Sequence, residues 1–196
     1  MDYIVKRSDR CTLSVRVDDD SNIIVRAGRR TSQALIDDFV RKSAPFIEKR
    51  LRENEVVDRT AERMGGAFTD REIRDMKDKA RAYFAEKAAL YADRLGVSYS
   101  GISIRTQTTL WGSCSPKGLL SFNCLLMEAP EFAAESVAAH EVCHLRHRNH
   151  GKAFYSDLHG IFPEYDKARL WLRQNGRVLI RRYSLYLKGS QPEGSQ

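Results

Sequence analysis

The stretch Ala139-His140-Glu141-Val142-Cys143-His144 decides how the whole chain is read. Two histidines four residues apart lie one above the other on the same face of an α-helix, so both imidazoles can reach one ion. Glu141 comes one residue after the first histidine and is turned about 100° around the helix, which sets its carboxylate beside such an ion rather than on it. A base that takes a proton from activated water belongs in that place. Two neutral imidazoles suit a borderline cation, so zinc is the expected cofactor, one Zn2+ per chain. His140 and His144 are therefore expected as metal ligands and Glu141 as the catalytic general base.

A catalytic zinc takes three protein ligands and keeps one position open. His147 lies on the same stripe, but in a continuous helix it stands about 10 Å along the axis from His140. His150 serves better if the chain turns back after the helix, with His147 or Asn149 in a left-handed conformation. The spacing H-E-x-x-H-x-x-x-x-x-H is that of metzincin-type sites. Their helix-ending glycine is absent, because His147 occupies its place, and no Met-turn is evident downstream. Glu164 is the more remote, carboxylate competitor for the third position.

Outward from the motif, the pattern is mixed. Thr12, Ser14 and Arg16 alternate with Cys11, Leu13, Val15 and Val17, the period of a half-buried strand. A turn at residues 18–22 and the apolar Ile23-Ile24-Val25 complete a hairpin or meander within residues 3–27. Ser32 can cap a helix over residues 33–52, which Pro45 kinks or divides. The polar residues 53–68, with Gly65-Gly66, read as a loop or hinge. Thr69 and Glu72 form a capping box for a helix over 70–95 that Gly96 ends. A strand at 97–105, a loop at 111–114, a turn at 115–118 and a strand at 119–126 follow. Pro130 opens the motif helix, which runs to about His147, and shorter helices are expected at 151–160 and 164–174.

The formal net charge of +7 is spread along the chain with no polybasic tail, so it allows at most a weak association with nucleic acid. The N-terminus turns charged at Lys6-Arg7, unlike a signal peptide, and no apolar run is long enough to span a bilayer. A cytoplasmic protein with reduced thiols and no membrane partner is expected. The four cysteines form no C-x-x-C pair, which excludes a zinc ribbon.

The segment His140-Glu141-Val142-Cys143-His144-Leu145-Arg146-His147-Arg148-Asn149-His150-Gly151-Lys152-Ala153-Phe154-Tyr155 resembles the YgjP-like metallopeptidases, a group related to the SprT-like zinc proteases. Trp111-Gly112-Ser113-Cys114, the following Ser121-Phe122-Asn123, and Leu13-Ser14-Val15-Arg16-Val17 extend the likeness over most of residues 3–171. The resemblance implies an α+β, zincin-like metallopeptidase domain, with the H-E-x-x-H helix packed on a small mixed sheet, and an N-terminal β-hairpin or meander and helix before it. The expected boundaries are 1–60, 69–188, and a flexible tail at 189–196. It also implies zinc-dependent hydrolysis of peptide or protein substrates and three histidine ligands, raising His150 above His147 and Glu164. The kinship offers an alternative, a DNA-associated protease or a nucleic-acid-binding protein with a structural zinc. Leu110, Gly151 and Tyr155 stand where the family usually has Arg, Ser and Trp, which bears on substrate contacts more than on metal binding. A donor for the oxyanion is required. His147, Tyr155 and Arg105 are candidates among which the sequence does not choose, and Trp111 and Asn123 are candidate substrate contacts. The strand at 119–123 is expected as the edge on which an extended peptide docks.

Overall fold

The computed structural model describes residues 1–9 and 12–190, and the chain divides into two units, Met1–Met64 and Gly65–Gln196. Cys11, part of the predicted first strand, lies outside the described residues.

In the first unit, β1 (Ile4–Ser8), β2 (Ser14–Val17) and β3 (Ile23–Gly28) form a sheet ordered β1-β3-β2. β2 and β3 are the antiparallel hairpin that the alternation predicts, but β1 pairs parallel to β3 on its other side. Asp18 closes the hairpin turn by accepting from the Asn22 amide at 2.8 Å. The inner face (Val17, Val25, Ala27) packs with Ile36, Val40 and Ile47. Those three come from α1 (Gln33–Lys42), which Ser32 caps, and α2 (Ala44–Arg63). Pro45 divides the two helices by sitting in the first turn of α2, where its missing N–H costs nothing. α2 runs through residues expected as loop. Its buried Ile47, Asn54 and Ala61 recur every seven residues, a seam one residue wide that leaves the rest polar. Asn54 fastens it by donating to the Asp18 carbonyl at 2.7 Å.

The second unit opens with α3 (Asp70–Leu95), and both bonds of the predicted capping box are present: Thr69 accepts from the Glu72 amide, and Glu72 from the Thr69 amide. Gly96 ends it with a positive φ of 61°. β4 (Gly101–Arg105), β5 (Gly112–Cys114) and β6 (Leu119–Asn123) form a sheet ordered β4-β6-β5, with β4 parallel and β5 antiparallel to β6. Two expectations change here. Gly112–Cys114 is a strand rather than a loop, and β6 is the central strand rather than a docking edge, because neighbours fill both of its hydrogen-bonding ladders. β6 also ends at Asn123, whose side chain caps a 3-10 helix, Cys124–Glu128, where a longer strand was expected.

α4 (Glu131–Arg146) carries the H-E-x-x-H motif and packs against α3, β5, α5 (Lys152–Ile161) and α6 (Tyr165–Gly189). Such burial explains its run of small residues, Ala133, Ala134, Ser136, Ala138 and Ala139, which let neighbouring backbones approach. The core beneath it includes Phe84 stacked on Phe122, ring centres 4.3 Å apart, with Leu120, Leu125 and Val142. α6 is far longer than the predicted 164–174. Asn175-Gly176 ordinarily stops a helix, but here Gly176 makes room for an indole: a Cβ would stand 2.7 Å from Trp111 Cζ2. Beyond it, buried Arg182 anchors the helix, donating to the Gly66 carbonyl at 2.9 Å and lying 3.9 Å from the centre of the Phe68 ring. Of the predicted tail, Gly189 ends α6 and residues 191–196 lie outside the described residues. No described helix is long and apolar enough to cross a membrane.

Candidate metal centre

His140 and His144 project from one face of α4 a turn apart, and their Nε2 atoms lie 3.2 Å from each other. The helix ends at His147. Its backbone is extended (φ −121°, ψ 111°), and Ser21 is the only described non-glycine residue with positive φ, so the return needs no left-handed residue at 147 or 149. That return brings His150 Nε2 to 3.0 Å from His140 Nε2. The ligand atoms of the three histidines all lie within 4.8 Å of one another, and among the described residues no other group of three or more His, Cys, Asp or Glu converges in this way. Two nitrogens on a tetrahedral zinc at ~2.0–2.1 Å stand about 3.3 Å apart, so the donor set fits one such ion.

Two of the three imidazoles are oriented by hydrogen bonds from behind. His144 Nδ1 donates to the His147 carbonyl at 2.9 Å. A carbonyl only accepts, so the proton sits on Nδ1 and the Nε2 lone pair faces the cluster. His140 Nδ1 lies 3.0 Å from the Tyr165 hydroxyl, which holds that ring with Nε2 toward the cluster. Phe154, fully buried, has its ring centre 5.0, 4.8 and 4.8 Å from those of His140, His144 and His150, an apolar floor under all three. Burial pushes His140 down to about 3 and lowers His144 as well, so both are neutral with free lone pairs near pH 7.

Glu141 is only 6% exposed, and burial pushes its carboxyl up to about 8. The close approach of β5 to α4 depends on Gly112, where a Cβ would stand 2.7 Å from Glu141 Cγ and Oε1 and 2.9 Å from Val137 Cγ1. A cleft of about 390 Å³ opens along this face, with His140, Glu141 and Tyr165 in its wall beside Leu110, Trp111, Val137, Leu172, Arg169 and Arg173.

The remaining sequence candidates are scattered. Trp111 lines the cleft. The Tyr155 ring is 6.2 Å from that of His150, at the margin of the cluster. His147 turns its ring away, with Nε2 2.8 Å from Asp157 Oδ2, and serves the cluster through its carbonyl. Arg105 closes β4 beside Asn123 and is not among the cleft residues. Asn123 is fully buried and donates to the carbonyls of Gln107 and Leu110 at 2.8 and 3.0 Å, so it shapes the loop that presents Trp111. Glu164 pairs with Lys167 at 3.0 Å, outside the histidine cluster. Sequence reasoning missed Tyr165, Phe154 and Gly112. Phe154 follows His150 by four residues and could have been flagged by that spacing, whereas nothing local to Tyr165 points to His140.

An H-E-x-x-H helix packed with a small mixed sheet defines the class: this is a metallopeptidase. The chain belongs to the YgjP-like family, whose metallopeptidase-domain model matches residues 66–175. No curated protein matches the chain. Among solved structures it is similar to the metallopeptidase zymogen abylysin of Pyrococcus abyssi, at 18% identity over 46% of this chain and 93% of that one, with a TM-score of 0.41. A second is the zymogen jannalysin of Methanocaldococcus jannaschii, at 23% identity over 46% and 94%, with a TM-score of 0.42.

Proposed function

We propose that the chain is a zinc-dependent peptidase, with His140, His144 and His150 as ligands and Glu141 as general base. The observation that supports this most is the convergence of three Nε2 atoms beside a buried carboxylate that faces a cleft. When bound, zinc supplies Lewis acidity and acidifies water. With its raised carboxyl brought down and held ionised by the charge of a bound cation, Glu141 takes the proton of the attacking water at a carboxylate oxygen and later passes it to the leaving amine. Trp111, Leu172 and Val137 give the cleft beside Glu141 an apolar wall. The His147 carbonyl holds the His144 tautomer, and the Tyr165 hydroxyl holds the orientation of the His140 ring. The substrate main chain pairs along the outer edge of β5, which among the described residues has only β6 as a partner. Of the oxyanion candidates, Tyr155 is favoured, since the His147 ring is committed to Asp157.

In this reading the zincin-like domain, residues 69–188, carries the whole site, residues 1–60 form a separate subdomain in the sequence, and the enzyme works in the cytoplasm. A nucleic-acid-binding protein with a structural zinc is less well supported. Structural sites are closed by four ligands, and no fourth His, Cys, Asp or Glu joins the three histidines among the described residues.

The direct test is hydrolysis of a mixed peptide pool followed by mass spectrometry. Cleavage is expected to stop with a chelator and to return when zinc is added; cleavage indifferent to chelation would refute the reading. A second expectation concerns Gly112→Ala. A methyl there displaces the Glu141 side chain, and a misplacement of about 1 Å costs on the order of 100-fold in rate. Rate assays paired with metal analysis should show that loss at unchanged zinc content.

A further inference from the structure

The polar groups of the cleft are unevenly signed. Its walls are Leu110, Trp111, Val137 and Leu172, and Ser136 is occupied in donating to the Ala133 carbonyl at 2.7 Å. Two guanidinium groups, Arg169 and Arg173, line the same cleft, against the single carboxyl of Glu141. Arg169 makes one long, exposed ion pair, to Asp166 at 3.6 Å, and Asp166 also lies 3.2 Å from His159 Nε2. Among the described residues Arg173 has no ion pair or hydrogen bond. Tyr165, Arg169 and Arg173 follow one another at four-residue intervals on α6, so they form a single stripe with steps of about 6 Å along the axis. The stripe begins at the hydroxyl that touches His140 and leads away from it. An extended peptide places alternate side chains on one face about 6.6–7 Å apart, nearly the same step.

We infer that Arg169 and Arg173 are specificity-determining residues that select peptides carrying acidic side chains at two alternate positions on one side of the scissile bond. The shared chemistry is a carboxylate, and its source here is Asp or Glu rather than the free C-terminus of the peptide. This rests on the peptidase reading for the location of the scissile bond, but it is testable by binding alone.

Short fluorescein-labelled peptides, identical except for Glu-x-Glu or Gln-x-Gln, each with a free or an amidated C-terminus, would be titrated into the full-length zinc-loaded Glu141→Gln chain and followed by anisotropy. Exposed ion pairs contribute little each, so two together should favour the Glu peptide by about tenfold, with or without amidation. The Arg169→Gln/Arg173→Gln variant should remove that preference, whereas Arg74→Gln/Lys79→Gln, on α3 outside the cleft, should retain it. Three results would each overturn the inference: equal affinity for the two peptides, including no measurable binding of either; a preference that survives loss of both arginines; or one that requires the free C-terminus. Selective binding with no hydrolysis by the chain with Glu141 intact would sink the peptidase reading and leave standing the role of the two arginines in selecting acidic peptides. Hydrolysis without selectivity would do the reverse.

Discussion

A Glu141→Gln chain should hydrolyse peptides about a thousandfold more slowly than wild type while still holding about one zinc. Glutamine keeps the size and the packing against Gly112, so neither the α4–β5 contact nor the histidine cluster has cause to move. What it removes is the ability to accept a proton. General acid–base catalysis contributes roughly 100- to 10,000-fold, and here one carboxylate would serve both water and leaving group. Steady-state rates, read beside metal content from the same preparation, check this. Loss of zinc along with activity would mean that Glu141 acts as a ligand, and retained activity would mean that the base lies elsewhere.

The largest effect on metal affinity is expected from His140→Ala, with His150→Ala close behind. His140 Nε2 lies within 3.2 Å of both other Nε2 atoms, so its removal takes the centre out of the donor set. Loss of a partner that merely orients a ligand costs about 10- to 100-fold in affinity, so losing a ligand itself should weaken zinc binding by at least about 100-fold. Competition with a fluorescent chelator measures this. Binding to the folded chain also adds stability, so zinc should raise the melting temperature of wild type and leave both variants nearly unmoved. Unchanged affinity in His150→Ala would return the third position to His147 or Glu164.

The parts of this arrangement that were legible in the sequence are those governed by local rules. The four-residue spacing of His140 and His144, the capping box of Thr69 and Glu72, the stop at Gly96 and the division at Pro45 depend on helical geometry alone. What escaped depends on contacts between distant segments. Gly176 sits within a helix because an indole 65 residues earlier needs its space, so α6 runs on past the expected 164–174. Gly112–Cys114 is a strand only through β6, and β6 is central only because β5 and β4 flank it. Residues 53–63 looked like loop because a narrow buried seam leaves most of α2 polar. Tyr165 reaches His140 across 25 residues and the whole of α5, which no spacing rule encodes.

X-ray absorption at the zinc edge, on the purified full-length chain and on His150→Ala, tests the central claim most directly. Wild type should show three imidazole nitrogens at about 2.0–2.1 Å and one further light-atom ligand, and the variant should lose one imidazole. A sulfur at about 2.3 Å, or an imidazole count that His150→Ala leaves unchanged, would contradict the account.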